Sequence, residues 1–229
     1  MKVLGIGAHY DDCIFGIPGT LLRAVDQGHQ VTILSVIGDY RNWSPVGEER
    51  QDVLLEGTRR LCEERGVETR FLSYQSMGIE VDEGAKRAVA EVVADIEPDV
   101  GFLLWPQDSH PDHEVVSQLS KVAFNWSGTV LAESRVVRRP RRLYYYDNGP
   151  RHTDGFVPDT FVDVSDNSTE ALDWLRALMS LALGPDIGRN AAPIKAKEVL
   201  AAYRGQTCGV RFAEAFKSFQ SYPTDVLSH

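Results

Sequence analysis

Four short apolar runs, each followed by a stretch with helical spacing, fill the first 125 residues, and this alternation restricts the fold more than any other feature. Val3–Ala8 is apolar throughout, as a strand buried on both faces must be. Ile17–Gln27 follows, with Pro18 placed to open a helix and Gly28 just past its end. Val31–Ile37 is rich in β-branched residues, Glu48–Glu64 has helical spacing and stops at Gly66, and Arg70–Tyr74 returns to strand character. Gly84–Ile96 reads as a helix closed by Pro98, Val100–Trp105 as a fourth buried strand, and His113–Phe124 as a fourth helix. Crossovers this short set the strands parallel and put helices over both faces. The second half is less regular. Arg142–Asp147 and Thr160–Val164 read as strands, Glu170–Leu183 and Ile194–Tyr203 as helices, and Asp147–Asp159, rich in Gly, Pro and Asp, as a loop. The expectation is one α/β domain over residues 1–229, doubly wound and Rossmann-like, with a mostly parallel sheet.

Composition removes several classes of function. Lys and Arg total 24 against 33 Asp and Glu, a net charge of −9, so the basic footprint that phosphate contacts need is missing and no nucleic-acid partner is expected. With 43% hydrophobic and 25% charged residues the chain can build a core. Cys13, Cys62 and Cys208 are odd in number and far apart, which suits a reducing cytoplasm rather than a disulfide framework. The start MKVLGIGAHYDD has no signal-peptide pattern and no window reaches 18 apolar residues, so no membrane partner is expected. Assembly as a homo-oligomer is compatible with all of this.

In doubly wound sheets the ligand crevice lies beyond the carboxyl ends of the strands. After the first strand comes His9-Tyr10-Asp11-Asp12; after the fourth comes Pro106-Gln107-Asp108-Ser109-His110-Pro111-Asp112-His113. Imidazole and carboxylate are ordinary ligands of zinc, and a catalytic zinc keeps three protein ligands and one open position. Either stretch alone reads equally well as caps of the helices that follow. Both together, at strand tips the topology brings to one edge, point to a metal site. Gly5-Ile6-Gly7 starts like a dinucleotide fingerprint, but Tyr10 stands where the third glycine is needed, and that reading fails.

These residues carry a family resemblance. Ala8-His9-Tyr10-Asp11-Asp12 resembles the A-H-P-D-D-E motif of the PIG-L/LmbE family of zinc-dependent N-acetylglucosaminyl deacetylases, and His110-Pro111-Asp112-His113 its H-P-D-H motif. Gly16-Ile17-Pro18-Gly19-Thr20 is similar to the family's G-G-T helix start, Gly28-His29-Gln30-Val31 to its G-H-x-V, and Lys195–Phe216 to its closing helical K…Q…E-A-F region. The resemblance implies that His9, Asp12 and His113 bind the metal, with zinc as the cofactor and ferrous iron as the alternative. It implies Asp11 as general base, His110 as the group that stabilises the oxyanion and helps the amine leave, and Asp112 as the residue orienting His110. The implied reaction is hydrolysis of an N-acetyl or other N-acyl group on an N-acetylglucosamine-type amino sugar conjugate. Two positions depart from the family pattern. Tyr10 replaces a proline, which loosens a rigid loop and brings a phenol near the pocket. Cys13 replaces a glutamate, and is read as a small buried hydrophobe or as an adventitious soft ligand.

Other features are less specific. Asp39, after the second strand, could reach a sugar hydroxyl, and Arg50 could grip a polar substrate group; a solvated side chain explains each as well. Arg135 to Arg142 holds five arginines, suited either to an acidic ligand or to a protected strand edge. Tyr144–Tyr146 fits a strand with alternating faces, and His152 lies in a loop that could border the pocket. Two histidines and one carboxylate also suit a non-haem Fe(II) oxygenase, although the βα alternation disfavours it, and a metal- or sugar-binding homologue without catalysis is a third reading.

Overall fold

In the computed structural model, which describes residues 1–132, 137–149, 151–188 and 190–223, the first strand is β1 (Lys2–Gly7), followed by α1 (Asp12–Gly16), α2 (Pro18–Asp26), β2 (Gln30–Asp39), α3 (Gly47–Glu63), β3 (Val67–Gln75) and α4 (Glu83–Ile96). Next come β4 (Val100–Leu104), α5 (Pro111–Leu131), β5 (Arg142–Tyr146), β6 (Thr160–Asp163), α6 (Ser168–Leu183), α7 (Pro185–Gly188), α8 (Ala192–Cys208) and β7 (Ala213–Ser218). The strands form one seven-stranded sheet in the order β3-β2-β1-β4-β5-β7-β6. β1 to β5 pair in parallel, and β7 runs antiparallel between β5 and β6. The mostly parallel α/β architecture read from the sequence is the one observed.

Central position explains the continuous apolar runs. β1 and β2 are buried along nearly their whole length, because helices cover both faces. α4 shows the complementary helical pattern: Asp82 caps it by accepting the Ala85 N–H at 2.7 Å, and Ala85, Val89, Ala90, Val93 and Ala94 form the buried stripe. The chain steps outward from β1 to β2 to β3, then returns to place β4 on the other side of β1. That reversal opens a crevice at the carboxyl ends of β1 and β4. Close packing reaches the neighbouring strand. A Cβ on Gly101 in β4 would sit 2.6 Å from Leu143 Cδ2 and 2.7 Å from the Phe124 ring. Gly101→Ala is expected to lose about 1–3 kcal/mol of stability to overpacking, measured as a lowered denaturant midpoint at unchanged slope.

Several elements, the four-residue helix α7 among them, differ from the sequence reading. The short helix α1 has no counterpart in it; this helix turns the chain tightly at Gly16, where a Cβ would lie 2.5 Å from the Tyr146 ring. α5 continues past Phe124 to Leu131, with a break at Trp126 (φ −134°). The Lys195–Phe216 region, expected to be helical, is helical only to Cys208. Gly209 (φ +80°) ends α8 in the left-handed conformation, and the Glu-Ala-Phe sequence becomes strand β7, pairing the otherwise open edge of β5.

β7 is also fixed by charge. Glu214, buried in it, accepts the N–H groups of Gly19 (3.0 Å) and Thr20 (2.7 Å) at the start of α2. Its other contact is the buried Lys197 Nζ at 2.7 Å, which also donates to the Gly16 carbonyl at 2.8 Å. One carboxylate thus joins a helix amino terminus, a lysine of α8 and the late strand.

The arginine run serves the amino-terminal end of the sheet, away from the crevice. Arg138 pairs with Asp99 at 2.7 Å, Arg139 lies over the Trp126 ring and Arg142 over Tyr222; Arg135 falls outside the described residues. Arg50 donates to the carbonyls of Pro45 and Leu181. Asp39 pairs with Arg41. Among the described residues no helix is long and apolar enough to cross a membrane.

Candidate active site

The two strand-end motifs meet at the crevice. His110 is the N-cap of α5 and Pro111 its first residue, so Asp112 and His113 occupy the first helical turn. The β1 motif runs from the strand end into α1. Asp11 stands at the cap position, but its side chain makes no capping bond, so its carboxylate is left for the cleft. Asp12 instead folds back, and its Oδ2 accepts the His9 N–H at 2.7 Å.

Three donor groups converge. His9 Nδ1 lies 3.3 Å from His113 Nε2, His113 Nε2 lies 3.1 Å from Asp12 Oδ1, and His9 Nδ1 lies 3.6 Å from Asp12 Oδ2. Ligands about 2.0–2.1 Å from a tetrahedral zinc ion stand about 3.3 Å apart, so this spacing fits one small dication. The far nitrogen of each imidazole meets a carboxylate: His9 Nε2 is 3.0 Å from Asp112 Oδ2, and His113 Nδ1 is 3.0 Å from Asp108 Oδ2. Such partners fix the ring and its tautomer for metal binding. Asp12 is held in turn by the Asn148 side-chain amide, which donates to its Oδ1 at 2.6 Å. The donor set therefore fits a divalent metal. Asp112 does not orient His110 in the way the family resemblance implies: its carboxylate is turned to His9, lies 4.0 Å from His110 Nδ1, and is fastened by the Met77 N–H at 2.9 Å. The Asp112 contact to His110 is through its backbone, whose N–H donates to Nδ1 at 3.2 Å.

The electrostatics follow from this crowding. Burial lowers the tendency of both His9 and His113 to charge, yet the carboxylates around them win, raising His9 to about 9 and His113 to about 10. Asp12 is drawn well below the usual carboxylate range by the two imidazoles despite its burial. Asp11 is pushed the other way, to about 6, by burial and then by the adjacent Asp12 charge. His110 falls to about 4, through burial and then the charges of His9 and His113. It is neutral at pH 7, and because Nδ1 accepts a bond its proton resides on Nε2, ready to be donated.

These groups line a cleft of about 730 Å³. Tyr10, Tyr40, Trp43 and Phe15 give it aromatic lining, and Met77, Arg151, His152, Lys195 and Val199 line it too, with Met77 and Val199 exposed. Tyr10 does not loosen the loop: its N–H donates to the Tyr40 hydroxyl at 2.9 Å, and the rings meet edge to face at 5.5 Å. Cys13 is buried with its sulfur 3.6 Å from the Tyr146 hydroxyl, burial holds the thiol well above its usual range, and it belongs to no donor cluster among the described residues. It is a packing residue. His152 does border the cleft, because the 147–159 loop is laced to the 105–110 turn. Ser109 N–H donates to the His152 carbonyl and Asp154 N–H to the Gln107 carbonyl. Sequence reasoning missed Asp108, Asn148 and the Met77 N–H. Asp108, two residues before His110 and five before His113, was the one with a local signal.

Residues 4–124 match the family PIG-L, GlcNAc-PI de-N-acetylase, over more than half of the 229 residues, and the chain belongs to that family. Among curated proteins, the diacetylchitobiose deacetylase of Thermococcus kodakarensis is 26% identical over 94% of this chain and 82% of its own. Among solved structures, the conserved protein TT1542 of Thermus thermophilus superposes with a TM-score of 0.83 at 24% identity, covering 99% of this chain and 98% of that one. The 4-carboxy-2-hydroxymuconate hydratase GalB of Pseudomonas putida KT2440 superposes at 0.79 with 18% identity, covering 99% of both chains. A hydratase on the same fold means the site, and not the fold, must argue the reaction.

Proposed function

We propose that this chain is a metal-dependent N-deacetylase of amino sugar conjugates. The observation that carries the reading is the convergence of His9 Nδ1, Asp12 and His113 Nε2 within 3.1–3.6 Å, in one cleft with Asp11 and His110. His9, Asp12 and His113 would hold the ion, zinc or ferrous iron. When bound, such an ion supplies Lewis acidity, bringing a water's pKa towards about 7 and polarising the amide carbonyl. Asp11, buried and charged near neutrality, takes the proton of the attacking water. His110 donates a hydrogen bond from Nε2 to the oxygen that gains charge, and on collapse the C–N bond breaks as the proton that Asp11 took from the water passes to the departing amine nitrogen beside His110. The products are acetate and a primary amine. The relatives support an N-acetylated sugar as substrate, and the aromatic lining suits a sugar ring's apolar face.

The test is release of primary amine and acetate, in equal amounts, from N-acetylated sugars such as N,N′-diacetylchitobiose. Absence of both from metal-loaded protein across a panel of such sugars overturns the reading, and water addition to an unsaturated acid would place the chain with the hydratase instead.

Metal uptake carries its own expected result. With His9 raised to about 9 and His113 to about 10, both rings hold a proton at pH 7 in the metal-free chain. Binding needs neutral imidazole, so each ion taken up should expel about two protons, and apparent affinity should fall up to about a hundredfold per pH unit of acidification. Titration in weak buffer with a pH indicator measures the stoichiometry; uptake without acidification would show that both rings are already neutral in the metal-free chain.

A further inference from the structure

Asn148 carries an unmet bonding need inside the cleft. Its side chain is 6% exposed, and its amide NH₂ is spent on Asp12 Oδ1 at 2.6 Å, which fixes the amide's orientation. Its carbonyl oxygen is buried and has no donor. A buried acceptor left bare costs about 1–3 kcal/mol, a cost relieved when a donor arrives. The surrounding loop holds the residue in place. The Asn148 N–H donates to Thr153 Oγ1 at 3.0 Å, and the neighbouring Asp147 is pinned by Arg204 at 2.7 Å. Next to it, Gly149 adopts φ +93° with a Cβ position 2.8 Å from the Phe15 ring, so the backbone there has no room to shift. Asn148 lines the same cleft as Asp11, Asp12 and His110.

Resting on the deacetylase reading, we infer that Asn148 Oδ1 is a substrate-recognition group that accepts the N–H of the scissile amide. An N-acyl amide brings one N–H beside its reacting carbonyl, and an O-acyl ester of the same shape brings none. A site that holds this hydrogen bond therefore selects amide over ester, and its contact is lost on substitution of either partner. Asp12 would be steadied by the same residue's NH₂, so the two ends of one amide serve different parts of the site.

The test compares a methyl 2-acetamido-2-deoxyglucoside with the methyl glucoside acetylated at O2, in wild-type and Asn148→Ala protein loaded with metal. The expected result is a fall of about tenfold in the ratio of kcat/KM for the amide to kcat/KM for the ester. Any weakening of Asp12 alters both substrates alike and cancels from the ratio. Equal losses on both would overturn the inference and leave Asn148 acting only through Asp12 or the attacking water; no loss on either would overturn it as well. Asn148→Ser, smaller but polar, gives the same ratio should the alanine variant not fold. Failure of the wild-type protein to release amine from any N-acetylated sugar defeats the deacetylase reading itself, a result separate from the ratio.

Discussion

Asp11→Asn is expected to lower kcat for amide hydrolysis by about a thousandfold while metal content stays at the wild-type level. Asparagine keeps the shape of the carboxylate but cannot take a proton. The Asp11 side chain accepts no capping bond from α1, and the convergent donor trio does not include it, so neither the helix cap nor the ion depends on it. The pH profile gives a second readout. Asp11 stands near 6 before a cation's charge is added, and a cation draws it lower, so the acid limb of wild-type kcat/KM should lie at or below about pH 6. Activity falls as pH drops through that value, because the base is then protonated, and the asparagine variant should lack this limb. A variant that kept its rate would remove Asp11 from the chemistry; one that lost its metal would make Asp11 a ligand.

Glu214→Ala is expected to destabilise the chain by about 3–5 kcal/mol, a large part of the roughly 5–15 kcal/mol typical of a folded domain. The loss comes from what remains. Lys197, 4% exposed, loses its counter-ion, and the Gly19 and Thr20 amides lose their acceptor. Glu214→Gln keeps an acceptor and should fall between. Denaturant unfolding at constant metal concentration measures both. Activity per folded molecule should be preserved, since Glu214 and Lys197 do not line the cleft. A loss below about 1 kcal/mol would mean that water reaches the pair readily and satisfies the orphaned lysine.

The parts of the molecule legible in the sequence are those written in local pattern. β1, β2 and β4 announce themselves as unbroken apolar runs because helices cover both faces. His9, Asp12, His110 and His113 could be placed together because each stands at the carboxyl end of a strand, and topology superimposes such ends. Contacts between distant positions left no local trace. Asn148 reaches Asp12 across 136 residues, and Glu214 reaches Gly19 across 195. Neither pair has a spacing that periodicity can expose. The Met77 N–H contributes backbone only, so residue type says nothing of it. β7 was hidden for a related reason: its strand state is imposed by the unpaired edge of β5, while Glu-Ala-Phe taken alone is equally at home in a helix.

The lacing of the 147–159 loop to the 105–110 turn divides labour along the chain. The side chains proposed to hold the ion and to move protons lie within residues 9–113, inside the stretch that matches the family, whereas Asn148, Arg151, His152, Lys195 and Val199 come from beyond it. Ligand preference can therefore drift through replacement of Arg151, His152, Lys195 and Val199 so long as Asn148, which holds Asp12, is kept, and grafting such segments between relatives offers a direct route to retargeting the scaffold.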